Sequence, residues 1–279
     1  MRVAYFGPEG TWTQEALLAA TTGQELDAVP YPTIYDTVMA VHFGAVQRAL
    51  VPIENSLEGS VNATLDALAF DAPEVQIIGE TVLAIHHCLI GRAGLAAEDV
   101  ELVLSHPQAL AQCAGFVRSR LPGAGVRAEA STAEAVRSVA GGEEPWAALG
   151  PRTAAERYGG TVLLADVEDV TGNETRFAWL ARADALPYGG GDGPFKTAVA
   201  FWPKESDHAG WLVDCLAEFS SRGVNLTRIE SRPRKVGLGE YVFFIDVEGA
   251  ARDPEVTAAL AGVQTHVAQL RVLGSFAAA

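Results

Sequence analysis

The sequence predicts a large α/β part followed by a smaller α+β part, and two observations carry this prediction. Up to residue 185, short β-rich runs alternate with helical patterns, which is typical of βαβ units around a mainly parallel sheet. From residue 195 onward the predicted order is βαββαβ, which folds as a ferredoxin-like sandwich of one antiparallel sheet and two helices. We therefore expect two domains of different class.

In the first part, each predicted strand is followed by a helix. The pairs are RVAYFG with TQEALLAAT, RALVPIE with NATLDALAF, VELVLS with PQALAQCAGFVRSRL, and PWAALG with RTAAERYG. The apolar run ETVLAIHHCLIGR, residues 80–92, is predicted as one strand that crosses between two lobes. Ser131 and Glu134 have the spacing of a capping box, which predicts a helix start at that point.

The stretch DALPYGGGDGPFK, residues 184–196, has almost nothing to bury and is predicted as a linker. Beyond it the predicted elements are, in order, the strand KTAVAFWP, the helix GWLVDCLAEFSSRG, the strands LTRIESRPR and YVFFIDVEG, the helix PEVTAALAGVQTHVA and the strand QLRVLGSF. The predicted boundaries are 1–185 for the first domain, 186–194 for the linker and 195–279 for the second domain.

Composition and charge exclude several classes of protein. With 49% hydrophobic residues the chain has ample material for a core, and its apolar runs are shorter than a membrane span. A formal net charge of −15 would repel nucleic acid. The cysteines, Cys88, Cys113 and Cys215, have no paired spacing, which favours a reducing cytoplasm over a disulfide framework or a zinc site. Neither nucleic acid nor a membrane is an expected partner.

Polar clusters follow several predicted strands at their carboxyl ends. They are GPEGTWT, PIENSLEGS, SHPQ and TGNETRF. In open α/β sheets ligands bind at this edge, and hydroxyls, amides and helix N-termini suit a carboxylate or a phosphate. Each cluster taken singly is more readily explained as a helix cap or a turn. Their shared placement favours a binding site.

Nucleophilic and metal chemistry are weakly supported. No serine lies in a nucleophile elbow, and no cysteine lies in an activating context. His86 and His87 are adjacent in a predicted strand and would point to opposite faces, so they do not form a simple metal-binding pair. Glu54 and His106 remain as candidate proton donors, although either one could instead cap or orient its own loop.

Taken together, these motifs resemble one family, the monofunctional prephenate dehydratases with a C-terminal ACT domain. The resemblance runs over nearly the whole chain and is carried by GPEGTWTQEA, PIENSLEGSV, HHCLIG, SHPQALAQC, TGNETRF, NLTRIESRP, YVFFIDVEG and VLGSF, in that order. It implies a two-lobed, periplasmic-binding-protein-like catalytic domain with its site between the lobes. It also implies loss of carbon dioxide and water from prephenate without a metal or other cofactor, and phenylalanine binding at an ACT contact in a homodimer or homotetramer.

The resemblance also implies roles for individual residues. Thr175 would donate a hydrogen bond to the leaving hydroxyl, with Glu54, His106 or a water as the source of the proton. Arg176 would hold a carboxylate and Phe177 would lie against the ring. The further substrate-binding candidates are Thr11, Thr13, Asn55, Ser56, Ser105 and Gln108. The effector-binding candidates are Ala209, Gly210, Trp211, Leu212, Asn225, Leu226, Glu230, Ser231, Arg232 and Pro233.

Two departures and two alternatives belong to this prediction. Trp12 and Thr13 replace an aromatic residue and a serine of the family pattern and keep the ring and the hydroxyl. Trp211 replaces a small residue in the regulatory motif, so the effector pocket is expected to be reshaped. The alternatives are an arogenate dehydratase and a non-catalytic amino-acid sensor. No helical mutase segment precedes Met1 or follows the ACT domain, so no fused chorismate mutase is expected.

Overall fold

A computed structural model describes residues 1–185, 193–204 and 208–279. Most of the predicted linker, residues 186–192, lies outside this part of the chain. The described chain forms two compact units. One contains residues 1–37, 54–59 and 82–177, and the other contains residues 38–53, 60–81 and 178–279.

The strands are β1 (Arg2–Phe6), β2 (Asp27–Tyr31), β3 (Arg48–Asn55), β4 (Gly59–Ser60), β5 (Val75–Ala84), β6 (Cys88–Gly91), β7 (Leu102–Ser105), β8 (Gly125–Ala128), β9 (Trp146–Gly150), β10 (Thr161–Leu164), β11 (Glu174–Arg182), β12 (Phe195–Pro203), β13 (Leu226–Pro233), β14 (Tyr241–Glu248) and β15 (Val267–Ala277). The helices are α1 (Trp12–Ala20), α2 (Ile34–His42), α3 (Asn62–Asp66), α4 (Pro107–Gln112), α5 (Ala114–Arg120), α6 (Thr132–Ala140), α7 (Arg152–Tyr158), α8 (Trp211–Ser220) and α9 (Pro254–His266). A π-helical turn, Ala67–Asp71, continues α3.

The first unit contains a sheet in the order β10-β6-β9-β7-β8, together with the parallel pair β1 and β2. Alternate residues of the central strands belong to two different core clusters. Leu89 and Leu149 pack with α5, whereas Ile90 and Ala148 pack with α6 and α7. Because neighbouring side chains of a strand point to opposite faces, helices cover both faces of this sheet. This is an α/β arrangement.

The second unit ends in the predicted βαββαβ order. Its strands β12, β13, β14 and β15 pair antiparallel, and α8 and α9 contribute Phe219 and Val263 to one core with Phe201 and Ile245. The same sheet continues from β15 to β5, β11 and β3. Gly274 pairs with Ile77 at the step from β15 to β5, where a Cβ would lie 2.1 Å from the Ile77 carbonyl oxygen, so this close approach requires glycine.

The predicted fold class is confirmed, and the structure corrects three details. The first sheet is mixed and not mainly parallel, because β6 runs antiparallel to both β9 and β10. The helix predicted after β7 is broken at Cys113, whose φ of −117° and ψ of 14° end α4 before α5 begins. Residues 85–87 lie between β5 and β6 and not in a strand, so 80–92 is two strands.

Other local predictions are confirmed. The Ser131 hydroxyl accepts a hydrogen bond from the Glu134 N–H at the start of α6, as the capping pattern predicts. Cys88, Cys113 and Cys215 are free and buried, as expected for small core residues. No helix in the described ranges is long and apolar enough to cross a membrane.

Candidate active site

Two of the predicted site segments come together in the first unit where β3 ends and β11 begins. Asn55 is the last residue of β3, and its side-chain amide donates to the Thr175 Oγ1 at 2.9 Å. The adjacent backbones are also paired. The Ser56 N–H donates to the Glu174 carbonyl, and the Glu174 N–H donates to the Ser56 hydroxyl, each at 2.9 Å. These bonds hold Thr175 beside Asn55.

Arg176 and Glu54 form a partly buried ion pair at the same place. The Arg176 Nε and Nη2 donate to Glu54 Oε2 at 3.1 and 2.9 Å, and the Arg176 side chain is only 12% exposed. Charge-assisted hydrogen bonds of this kind are stronger than neutral ones. A carboxylate that reached Arg176 would therefore have to share the guanidinium with Glu54 or replace it.

Phe177 follows directly and lies in the core, where it is 1% exposed. Strand residues alternate between faces, so Thr175 and Phe177 share one face of β11 and Arg176 lies on the other. Thr175 and Arg176 are partly buried at the start of the strand, and Phe177 packs inside. A place for Phe177 against a substrate ring stays a prediction.

The polar residues of the SHPQ segment have partners of their own. The fully buried Ser105 hydroxyl donates to the Leu149 carbonyl at 2.6 Å and joins β7 to β9. His106 is the N-cap of α4, and its Nδ1 accepts from the Gln108 N–H at 3.3 Å. Gln108 itself is exposed. His106 thus caps its own helix, which was the alternative noted for it.

The threonines at the start of α1 are also placed by local contacts. Thr11 is the N-cap residue; it accepts from the Gln14 N–H at 3.4 Å and donates to the Pro8 carbonyl at 3.1 Å. Thr13 is 4% exposed within the helix. Between them, Trp12 packs edge-on against His87, with ring centroids 4.9 Å apart. Roles for these hydroxyls in binding stay predictions.

Three further polar residues, which were not predicted as site residues, belong to the site: Asn173, Gln112 and His87. The Asn55 amide donates to Asn173 Oδ1 at 2.7 Å, the Asn173 amide donates to Gln112 Oε1 at 3.1 Å, and His87 Nε2 lies 2.9 Å from that same oxygen. Asn173 and His87 are 3% and 1% exposed. Gln112 lies one helical turn after Gln108, a spacing that offered a signal for it.

His86 and His87 occupy different environments. His86 is exposed, and its Nδ1 lies 2.8 Å from Glu168 and 3.6 Å from Asp166. The other Glu168 oxygen accepts the His87 N–H at 2.9 Å. Burial acts to raise the pKa of Glu168, but hydrogen bonds from His86 and the backbone outweigh it and the pKa is lowered. Burial lowers the pKa of His87.

The thiols are unsuited to nucleophilic chemistry. Burial raises the pKa of Cys113 to about 12 and that of Cys215 to about 11, and it raises the pKa of Cys88 as well. A thiol is nucleophilic as its thiolate, so these groups are inert near neutral pH. This agrees with their expected role as core residues.

The predicted effector residues lie in the second unit. Gly210, with φ of 95°, precedes α8, and the Trp211 ring packs edge-on against Phe243 and Phe201 with centroids 5.5 and 6.4 Å away. Trp211 therefore packs on the core of its own unit. Ala209 precedes Gly210, and Leu212 is the second residue of α8. The remaining candidates lie in or next to β13, and they are Asn225, Leu226, Glu230, Ser231, Arg232 and Pro233.

Strand β13 is bonded to the segment that follows Gly59. Ser60 donates to Glu230 at 3.3 Å, and Arg232 and Lys235 donate to the Asp66 carboxylate at 3.1 and 2.7 Å. Within the sheet, Arg228 pairs bidentately with Asp246, and both side chains are less than a tenth exposed. The strand is thus fixed both to its own sheet and to residues 60–66.

Comparison with known proteins gives a consistent result. The family model described as prephenate dehydratase matches residues 3–185, and the ACT domain model matches residues 206–263. A prephenate dehydratase of Amycolatopsis methanolica is 39% identical over 100% of this chain and 89% of that protein. The crystal structure of the Arthrobacter aurescens prephenate dehydratase in complex with L-Phe has a TM-score of 0.89 and 39% identity, covering 99% of this chain and 90% of that one.

A second solved structure carries a different description. GqqA, described as a novel type of quorum quenching acylase, has a TM-score of 0.86 and 31% identity, covering 100% of this chain and 98% of that one. Two proteins with the same fold are thus described with different activities. The fold alone does not separate these activities, and only the residues of the site can distinguish one reaction from the other.

Proposed function

The chain belongs to the prephenate dehydratase family, and from that premise we propose that it converts prephenate to phenylpyruvate with loss of carbon dioxide and water, a step towards L-phenylalanine. The new aromatic ring supplies the driving force, so the reaction requires no electron-sink cofactor. The protein has to hold two carboxylates and assist the departure of hydroxide, which is a poor leaving group. The site residues are assigned from these needs.

The observation that carries the proposal is the hydrogen bond from Asn55 to Thr175. The amide nitrogen of Asn55 has hydrogens and no lone pair to offer, so the Thr175 oxygen accepts in this contact. The hydroxyl hydrogen of Thr175 is then directed away from Asn55. We assign it to the leaving oxygen of the substrate, where a donor stabilises the negative charge that grows in the transition state.

Arg176 is assigned to a substrate carboxylate. Its planar guanidinium suits bidentate pairing, and Glu54 already occupies one side of it in this structure. A bound carboxylate would compete with Glu54 for these N–H groups and free the Glu54 carboxyl group to handle a proton.

His106 is a second candidate proton source, and a water is the third. The Nδ1 of His106 accepts from the helix, so the neutral ring carries its hydrogen on Nε2.

The remaining candidates are assigned to substrate positioning. Thr11, Thr13 and Ser105 would act mainly by shaping the walls, since each is buried. Asn55, Ser56 and Gln108 would line the polar side, and Phe177 would support the ring from the core. The protein is assigned to the cytoplasm, where its three free thiols would stay reduced.

Regulation by L-phenylalanine is proposed for the ACT domain. The effector would bind where residues 209–212 of one subunit meet residues 225–233 of another, in a homodimer or homotetramer. Trp211 packs on Phe243 and Phe201 of its own core, so its ring would form a wall of this pocket and not block it. The bonds of Glu230 and Arg232 to Ser60 and Asp66 offer a route back to the site, because residues 60–66 follow residues 54–58 in the chain.

The test is an assay of the purified protein with prephenate, reading phenylpyruvate as its enolate in alkali, with and without L-phenylalanine. We expect turnover that phenylalanine lowers. Arogenate, the substrate of the alternative prediction, and an N-acylated substrate, chosen because GqqA is described as an acylase, serve as parallel assays. Faster turnover of arogenate would correct the substrate, and acyl release without phenylpyruvate would overturn the proposal. Phenylalanine binding without any turnover would favour the sensor alternative.

A further inference from the structure

The Asn55 amide has a single orientation that satisfies its neighbours. The N–H groups of Leu57 and Glu58 both lie 3.0 Å from one side-chain atom of Asn55. Backbone N–H groups only donate, so this atom is the oxygen, and the other is the nitrogen. The nitrogen only donates, so the Asn173 atom that lies 2.7 Å from it is the Asn173 oxygen.

The same direction is obtained from the opposite end of the network. The Asn173 oxygen faces Asn55, so the Asn173 nitrogen faces Gln112. Because that nitrogen only donates, the Gln112 atom 3.1 Å from it is the oxygen. The Gln112 nitrogen then faces the Glu58 carboxylate at 3.2 Å, a group that accepts when ionised. The hydrogen bonds thus form a ring, from the Glu58 N–H through Asn55, Asn173 and Gln112 to the Glu58 carboxylate.

This direction decides the tautomer of His87. Its Nε2 lies 2.9 Å from the Gln112 oxygen, which has no hydrogen, so Nε2 must carry one. The Nδ1 atom is buried and has no hydrogen-bond partner in the described part of the chain. Burial disfavours the imidazolium form and lowers the pKa of His87. The neutral ring with its hydrogen on Nε2 satisfies all of these contacts.

We propose that His87 is a positioning residue of the dehydratase site, held as the neutral Nε2–H tautomer, and that it acts by anchoring Gln112 and through it Asn173. Asn173 lies two residues before Thr175. Its backbone carbonyl also accepts from the Ile85 N–H at 2.8 Å, so Asn173 is bonded directly to the segment that contains His87. The expected effect on turnover rests on the proposed function, whereas the tautomer of His87 follows from the hydrogen bonds alone.

The expected consequence is a change in turnover. Without the hydrogen from residue 87, Gln112 keeps fewer bonds and the start of β11 loosens. A donor that is displaced by about 1 Å can cost on the order of 10²-fold in rate. We therefore expect His87→Leu to lower kcat by roughly 10- to 100-fold while KM changes little, as for an interaction made in the transition state. His87→Gln keeps an amide N–H near the Nε2 position and should retain most of kcat.

The kinetic test compares His87→Leu and His87→Gln with His86→Gln, an exposed neighbour outside the ring of bonds. A His87→Leu variant with normal kcat would contradict the proposal. So would a His87→Gln variant that falls as far as His87→Leu, since packing and not donation would then be responsible.

The tautomer is tested without any substrate, by nitrogen-15 NMR of the histidine rings in the intact protein. The signals lost in His87→Gln identify His87 among the six histidines. We expect the Nε2–H form at neutral pH. An Nδ1–H or doubly protonated ring would overturn the assignment. If the tautomer is confirmed and prephenate is not turned over, the proposed function is wrong and the hydrogen-bond direction still holds.

Discussion

Thr175 is the residue on which the proposed chemistry depends most. Thr175→Val removes the hydroxyl and with it both the proposed donor to the leaving group and the acceptor of the Asn55 amide. Removing one such donor typically costs on the order of 10²–10³ in turnover, so we expect this fall for Thr175→Val. Thr175→Ser keeps the hydroxyl and should retain much of the activity. The measurement is kcat for phenylpyruvate formation by the two variants.

Thermal unfolding of the same two variants is the control, since both should unfold near the parent temperature. If Thr175→Val turned over prephenate at the parent rate, the role assigned to the hydroxyl would be wrong. If both variants lost activity equally, the strand start itself would be sensitive to any change, and the donor assignment would lose its support.

At the scale of elements, β13 is bonded to residues outside the ACT domain, in the segment 60–66. Asp66 is buried and accepts from Arg232 of β13 and from Lys235, which lies two residues after the strand. We expect Asp66→Asn to weaken these bonds, because the amide has lost the charge and one acceptor position. Inhibition by phenylalanine should then weaken. The phenylalanine concentration that halves turnover should rise, by a factor within the 5- to 150-fold range that is usual for allosteric coupling.

The measurement is the phenylalanine concentration that halves turnover, with turnover in the absence of effector as the reference. Arg234→Gln is the matched control, since Arg234 is next to this cluster in the chain but pairs with Glu240. We expect Arg234→Gln to keep normal inhibition. Unchanged inhibition in Asp66→Asn would rule out this contact as the route from effector to site.

At the scale of the whole molecule, the lowered pKa values of His87 and Glu168 predict how stability depends on pH. Each group binds protons less readily when folded than when unfolded. Stability therefore rises with pH between the folded and unfolded values. The contribution of neutral His87 to the free energy of unfolding is fully present above its unfolded pKa of about 6.5. It is lost as the pH falls towards the pKa of the folded state. Glu168 adds a similar loss below about pH 4.5.

We expect the free energy of unfolding to decrease between about pH 7 and pH 5. Urea denaturation at several pH values measures this, and His87→Gln is the comparison because its amide does not titrate. The fall in this pH window should be smaller in the variant than in the parent. Equal slopes for the two proteins would show that His87 titrates alike in the folded and unfolded states.

Local patterns were sufficient for most elements because periodicity and caps act over a few residues. The capping of α6 by Ser131 and the βαββαβ order are of this kind. Predictions failed where a distant partner decided the outcome. Residues 85–87 have the composition of a strand, but the Ile85 N–H and the His87 N–H bond to Asn173 and Glu168, about 80 residues or more away in the chain, instead of a ladder.

The sequence by itself determined the βαββαβ order of the C-terminal part, the places of the polar motifs and the family, since these depend on order and spacing along the chain. Tertiary structure alone decided which atoms meet. Asn55 and Asn173 are 118 positions apart, and the contact of Glu54 with Arg176 spans 122. Such pairs follow from strand register and packing, which local residue preferences do not encode. The direction of the hydrogen-bond ring, and with it the tautomer of His87, appears only when those pairs are in place.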